Sequence, residues 1–91
     1  MTRPNSSFKK RGRLTILYEM LTILQAGRVK KTHLMYRANL SHSQLHKFLS
    51  VLLDTGLDTE VLGQEITEYR ITVKGRRFVT EFQQIQALFD A

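Results

Sequence analysis

The strongest constraint on the fold lies between residues 38 and 45. Asn39 favours the left-handed backbone that ends a helix, and two residues later Ser41-His42-Ser43-Gln44 opens another. Ser41 and Gln44 have the spacing of a capping box, in which a hydroxyl and an amide satisfy two orphan backbone donors. Leu40 and Leu45 fall at staple positions on either side of that cap. Two helices joined by so short a turn meet at a steep angle, so the rest of the chain has to pack around that corner.

Hydrophobic periodicity supplies the other elements. Leu14, Leu17, Tyr18, Leu21 and Leu24 recur at helical spacing and predict a first helix over 13–26, with Gly27 as its left-handed cap. Leu34, Met35 and Ala38 give a short second helix an inward face over 31–38. In the third helix Leu45, Phe48, Leu49, Leu52 and Leu53 form the buried face, and Gly56 ends it. Two strand-like runs follow, 57–62 and 66–73, joined by Gly63-Gln64-Glu65. In the second run Tyr69, Ile71 and Val73 alternate with Glu68, Arg70 and Thr72, one face buried and one wet. A last helix begins near Thr72 or Val73 and runs to about Asp90, with Gly75 lowering propensity in its first turn. The expected fold is mainly α with a small β-hairpin: a helix-turn-helix followed directly by a wing, then a C-terminal helix. Three segments follow from this: a flexible basic arm over 1–12, the winged domain over 13–73, and the C-terminal helix over 74–91.

Charge is unevenly placed along the chain. Residues 1–37 hold nine bases against one acid, and residues 38–91 hold five bases against seven acids. A lopsided basic balance predicts attraction to a polyanion. At about 100° per residue along the third helix, Ser43, Lys47, Ser50 and Asp54 fall opposite its apolar face. Gln44 and Val51 lie on one flank and His46 on the other. Ser, Gln and Lys side chains suit base edges and phosphates in a major groove. Lys30, Lys31 and Thr32 open the second helix and are candidate phosphate clamps, as are Lys9, Lys10, Arg11 and Arg13 on the arm and Arg70 on the wing. His42 and His46 share a face at metal-ligand spacing, but no cysteine or well-placed carboxylate completes a site. They read instead as histidines near DNA, which would strengthen binding at low pH.

These residues resemble those of archaeal winged helix-turn-helix proteins, especially the small basic ten-kilodalton chromatin-associated class. The resemblance spans about Arg11 to Phe89. It is carried by Arg11-Gly12-Arg13-Leu14, Lys30-Lys31-Thr32, Leu34-Met35-Tyr36, Ala38-Asn39-Leu40-Ser41 and Gln44-Leu45. Leu52-Leu53, Gly56-Leu57, Tyr69-Arg70-Ile71-Thr72 and Lys74-Gly75 extend it. The resemblance implies double-stranded DNA as partner, a homodimer joined by C-terminal helices, and a cytoplasmic, nucleoid-associated setting. The last helix is shorter than that class implies, which favours a transcription regulator over bulk chromatin.

Phe78, Phe82, Ile85 and Phe89 recur at four, three and four residues, the seam of a short coiled coil and the candidate dimer interface. Val79 and Leu88 would turn toward the protein's own core. The absence of cysteine argues against a disulfide framework and thiolate metal sites. No apolar run reaches the roughly 20 residues of a membrane span. No phosphate loop, nucleophile elbow or paired-carboxylate motif is present, so the expectations are no enzyme activity, no cofactor, no metal, no membrane and no small-molecule ligand. Tyr36, Tyr69 and the phenylalanines read as core or interface residues and not as a single-strand stacking platform. A winged-helix protein–protein interaction module is the competing class, and structured RNA stays open as a third.

Overall fold

The computed structural model describes residues 11–90. The elements run α1 (Arg13–Leu24), β1 (Val29–Lys30), α2 (Lys31–Arg37), α3 (His42–Asp54), β2 (Asp58–Leu62), β3 (Thr67–Ile71) and α4 (Val73–Asp90). Lys9, Lys10 and most of the expected arm lie outside the described residues.

The corner at residues 38–45 forms as expected. Asn39 takes φ 56°, the single non-glycine positive φ among the described residues. The Ser41 hydroxyl accepts the Gln44 N–H at 3.2 Å, and the Gln44 side-chain carbonyl oxygen accepts the Ser41 N–H at 3.0 Å. Behind this corner the core gathers Met20, Leu21 and Leu24 from α1, Leu34 from α2, Leu45 and Leu52 from α3, and Val79 from α4.

Four local expectations change. α1 buries Ile16 and Met20 and leaves Leu14 exposed, because its buried arc centres on Leu17, Met20 and Leu24, which puts Leu14 at its edge in the first turn. The helix stops at Leu24, with Gln25 as its C-cap. Val29 and Lys30 form a strand that pairs antiparallel with β3, Val29 opposite Tyr69 and Lys30 opposite Glu68. The hairpin is thereby part of a three-stranded sheet of order β1-β3-β2, and two residues are too few for a period-2 signal to show. Val73 leaves the strand and opens α4, so its side chain is exposed where alternation placed it inside.

The junction of wing and α4 explains Gly75. A Cβ there would lie 2.1 Å from the Leu57 carbonyl oxygen and 2.7 Å from Cγ1 of Ile71. The helix can pass that close only without a side chain. Thr72 secures the same junction. Its hydroxyl donates to the Gly56 carbonyl at 2.7 Å and accepts the Gly75 N–H at 3.0 Å, which caps α4. The Lys74 ammonium reaches the Thr55 carbonyl at 2.6 Å.

α4 lies on α1 through aromatic contacts. Tyr18 stacks on Phe82 with ring centroids 4.7 Å apart, and Phe78 and Phe82 stack at 5.8 Å. Gln83 donates to the Tyr18 hydroxyl at 3.3 Å. The first half of α4 therefore closes the core, and Leu88, expected to turn inward, is 76% exposed on the last turns.

Candidate nucleic-acid interface

The buried stripe of α3 fixes what its other side presents. With Leu45, Phe48, Leu49 and Leu52 inside, the residues His42, Ser43, Gln44, His46, Lys47 and Ser50 are all exposed. Gln44 and Ser43 are less free than the sequence suggests. The Gln44 carbonyl oxygen belongs to the capping box, which leaves its two amide hydrogens outward. The Ser43 hydroxyl sits 3.4 Å from that of Ser41. The Lys47 ammonium lies over the Phe48 ring, 5.5 Å from its centroid, and the residue is exposed.

α2 brings a second set of cations to the same surface. Lys31 starts that helix and its ammonium lies 3.3 Å from Nε2 of His46, so the α2 start and the middle of α3 form one cationic patch. Thr32 is exposed beside it. Lys30 leaves β1 on the solvent face of the sheet, because its neighbour Val29 points into the core. Arg70 is exposed on that solvent face too, opposite Thr59. Arg28 joins them, 3.8 Å from Glu68. The sequence gives no signal for Arg28, because the strand that orders this face has only two residues.

The wing beyond its root has a different character. Its tip, Leu62-Gly63-Gln64-Glu65-Ile66, holds no base, and Glu60 and Glu65 are exposed along it. Arg70 is thus the one base on the wing. Arg13 is exposed at the first position of α1. Arg11, expected to hold a phosphate, is engaged within the protein instead. Its guanidinium binds the Glu19 carboxylate and donates to the carbonyls of Ala38 at 2.9 Å and Asn39 at 3.0 Å. It ties α1 to the corner between α2 and α3. Tyr36, expected at a core or interface position, is 75% exposed on α2.

Asp58 is the residue that sequence reasoning missed. It faces the core from the first position of β2, only 3% exposed, and neither carboxylate oxygen has a hydrogen-bond partner. Burial, reinforced by the nearby charge of Glu60, raises its pKa from 3.8 to about 7. Burial also raises Tyr69, together with Glu60, whose carboxylate its hydroxyl approaches at 3.5 Å, and Asp58. An acid in a strand that alternates polar and apolar residues gives no signal of which way it points.

Of the seam residues, Phe78 and Phe82 are half-buried against the protein's own domain, whereas Ile85 and Phe89 are exposed, Phe89 to 83%. Among the described residues no group of three or more His, Asp or Glu side chains is placed to hold a metal ion. Nor is any described helix long and apolar enough to cross a membrane.

A helix-turn-helix with its corner capped at Ser41, packed on a small sheet whose hairpin forms a wing, defines a class, and the chain belongs to it. A family model described as "Winged helix-turn-helix" matches residues 10–89, and the protein is a member of that family. An uncharacterized protein of Methanocaldococcus jannaschii is 28% identical over 76 residues, covering 84% of this chain. The chain spans about a third, 34%, of that relative's length. Among solved structures, the fold is similar to Sso10a-2, a DNA-binding protein from Sulfolobus solfataricus. The TM-score is 0.78 at 21% identity, covering 88% of this chain and 83% of that one. It is also similar to the transcriptional regulator BldR of Sulfolobus solfataricus, with TM-score 0.73 at 18% identity, covering 81% of this chain and 55% of that one. The PcaV transcriptional regulator of Streptomyces coelicolor matches with TM-score 0.76 at 21% identity, covering 84% and 59%.

Proposed function

We propose that the protein binds duplex DNA as a transcription regulator or nucleoid architectural protein, with α3 in the major groove. The observation that carries this reading is the outer face of α3. It is polar and exposed, and Lys31, Lys47, His42 and His46 sit together there with no ion pair among the described residues. A face built to dock a protein would expose apolar residues, and here Val51 at the flank is the one large hydrophobe of α3 that does so. The family agrees with this reading, as do the DNA-binding protein and the regulator from Sulfolobus solfataricus that share the fold.

In this docking Ser43, Gln44, Lys47 and Ser50 reach base edges, and Lys30, Lys31, Thr32, Arg13 and Arg70 hold phosphates on either side. The protein acts as a homodimer. Ile85, Leu88 and Phe89 on the free end of α4 form an apolar stripe that a second copy would cover. The deciding experiment is a titration of a random and a selected duplex at two salt concentrations. Binding that weakens steeply with salt supports the phosphate clamps. No binding to either duplex at low salt overturns the reading.

A further inference from the structure

At the start of α2 the Lys31 ammonium lies 3.3 Å from Nε2 of His46. An ammonium only donates, so Nε2 offers its lone pair, and His46 in this arrangement is a neutral imidazole carrying its hydrogen on Nδ1. The surroundings hold little to balance a second positive charge. Lys30 adjoins Lys31, and Lys47 adjoins His46 on α3. The ring of His42, one turn earlier, stands 5.4 Å from that of His46. The nearest acid on the sheet, Glu68, faces Lys30 in register and is engaged by Arg28 at 3.8 Å. Asp54 is two turns further along α3.

We propose that the Lys31–His46 contact is the seat of one DNA backbone phosphate, and that seating it draws a proton onto His46. The inference rests on the duplex reading above and assigns its regulation. A phosphodiester oxygen that enters between Nζ and Nε2 accepts from the lysine, which stops donating to the imidazole. The freed lone pair of Nε2 then takes a proton from solvent and becomes the second donor to the phosphate. A phosphodiester is fully ionised near neutral pH and has no proton to give, so the proton comes from water or buffer. In the free protein that proton would set two cations against each other; in the complex an anion lies between them. Binding and protonation are therefore linked, and each favours the other. The protein grips DNA harder as pH falls through the histidine range and releases it as pH rises.

The test is the affinity of the full chain for one duplex, measured by fluorescence anisotropy from pH 5.5 to 8.5 at constant ionic strength. The expected slope is up to about tenfold per pH unit for each protomer engaged, because one proton is taken up per seat. His46→Gln flattens that slope, whereas His33→Gln, an exposed histidine outside the cluster, keeps it. Lys31→Gln weakens binding across the whole range and lowers the salt slope by about one phosphate contact. Circular dichroism and melting confirm that each variant folds, as expected for exposed or half-exposed side chains. In a companion titration followed by NMR, the duplex raises the midpoint of the His46 ring, and inorganic phosphate at the same phosphate concentration does not. A duplex bound with pH-independent affinity, or a slope that His46→Gln leaves unchanged, overturns the seat and leaves the duplex reading standing. An equal shift with inorganic phosphate overturns its assignment to the DNA backbone. A duplex not bound at any pH overturns the duplex reading, and the seat with it.

Discussion

Asp58 and Gly75 both meet Leu57, one beside it in the chain and one against its carbonyl, and each makes a residue-scale demand that composition hides. Asp58 is a carboxyl buried without a donor, held protonated up to about pH 7. In the unfolded chain the same group ionises near 3.8. Between those values the unfolded state binds fewer protons than the folded one, so this group makes stability fall as pH rises, by about 1.4 kcal/mol per pH unit. Above pH 7 both states are ionised and the loss levels off. The parent should therefore melt lower at pH 7.5 than at pH 5, by roughly 10–20 °C for a loss of this size in a small domain. Asp58→Asn should remove most of that difference in a melting series at fixed protein concentration. Parallel pH profiles for parent and variant would show that Asp58 does not carry it. Gly75 makes the opposite kind of demand. Alanine is the better helix former by about 1 kcal/mol, yet its Cβ would press on the Leu57 carbonyl. Gly75→Ala should destabilise by about 1–3 kcal/mol or more, as overpacking does. A rise in urea midpoint for that variant would mean that wing and helix separate easily.

At the scale of elements, what the sequence makes legible follows from how many residues repeat a signal. α3 and its cap are readable because the capping box, the staple and five apolar positions all agree over one stretch. β1 is not, since Val29 and Lys30 are held by pairing with β3 and by nothing local. The outer face of α3 is legible as a polar face opposite a buried one, but the division of labour on it is not. Gln44 can be read as a base contact or as a cap, and in the structure its carbonyl oxygen is the cap. Arg11 can be read as a phosphate ligand, and it binds Glu19 and two carbonyls that are distant in sequence. Long-range partners of this kind leave no periodic trace. The distinction predicts different behaviour for two neighbours on one helix. Lys47→Ala should weaken duplex binding several-fold with the melting temperature unchanged. Gln44→Ala should weaken binding and also cost about 1 kcal/mol of stability, the range of a lost helix cap. Equal melting temperatures for the two variants would remove Gln44 from the cap.

For the whole molecule, the question is what α4 does beyond the core. Its first half is occupied at home: Val79 is buried, Phe78 packs on the core, and Phe82 stacks on Tyr18. Charges placed there would damage the monomer and say nothing about a partner. The informative positions are Ile85 and Phe89, which touch solvent on the helix's last turns. A helix of 18 residues is about 27 Å long, and half of it offers only a small interface, so a dimer joined there would be held by few side chains and broken by few changes. Ile85→Glu combined with Phe89→Glu should yield a monomer with the parent's circular dichroism spectrum. Because two linked copies bind a duplex with a gain from effective concentration, the monomer should bind about 10- to 100-fold more weakly. The check is sedimentation equilibrium at micromolar concentration, followed by the same duplex titration on parent and variant. If the parent itself sediments as a monomer, α4 serves the core alone, and the exposed end of the helix must be explained by some other contact. If the variant is monomeric and binds DNA as tightly as the parent, each domain reads its site independently and the dimer adds nothing to recognition.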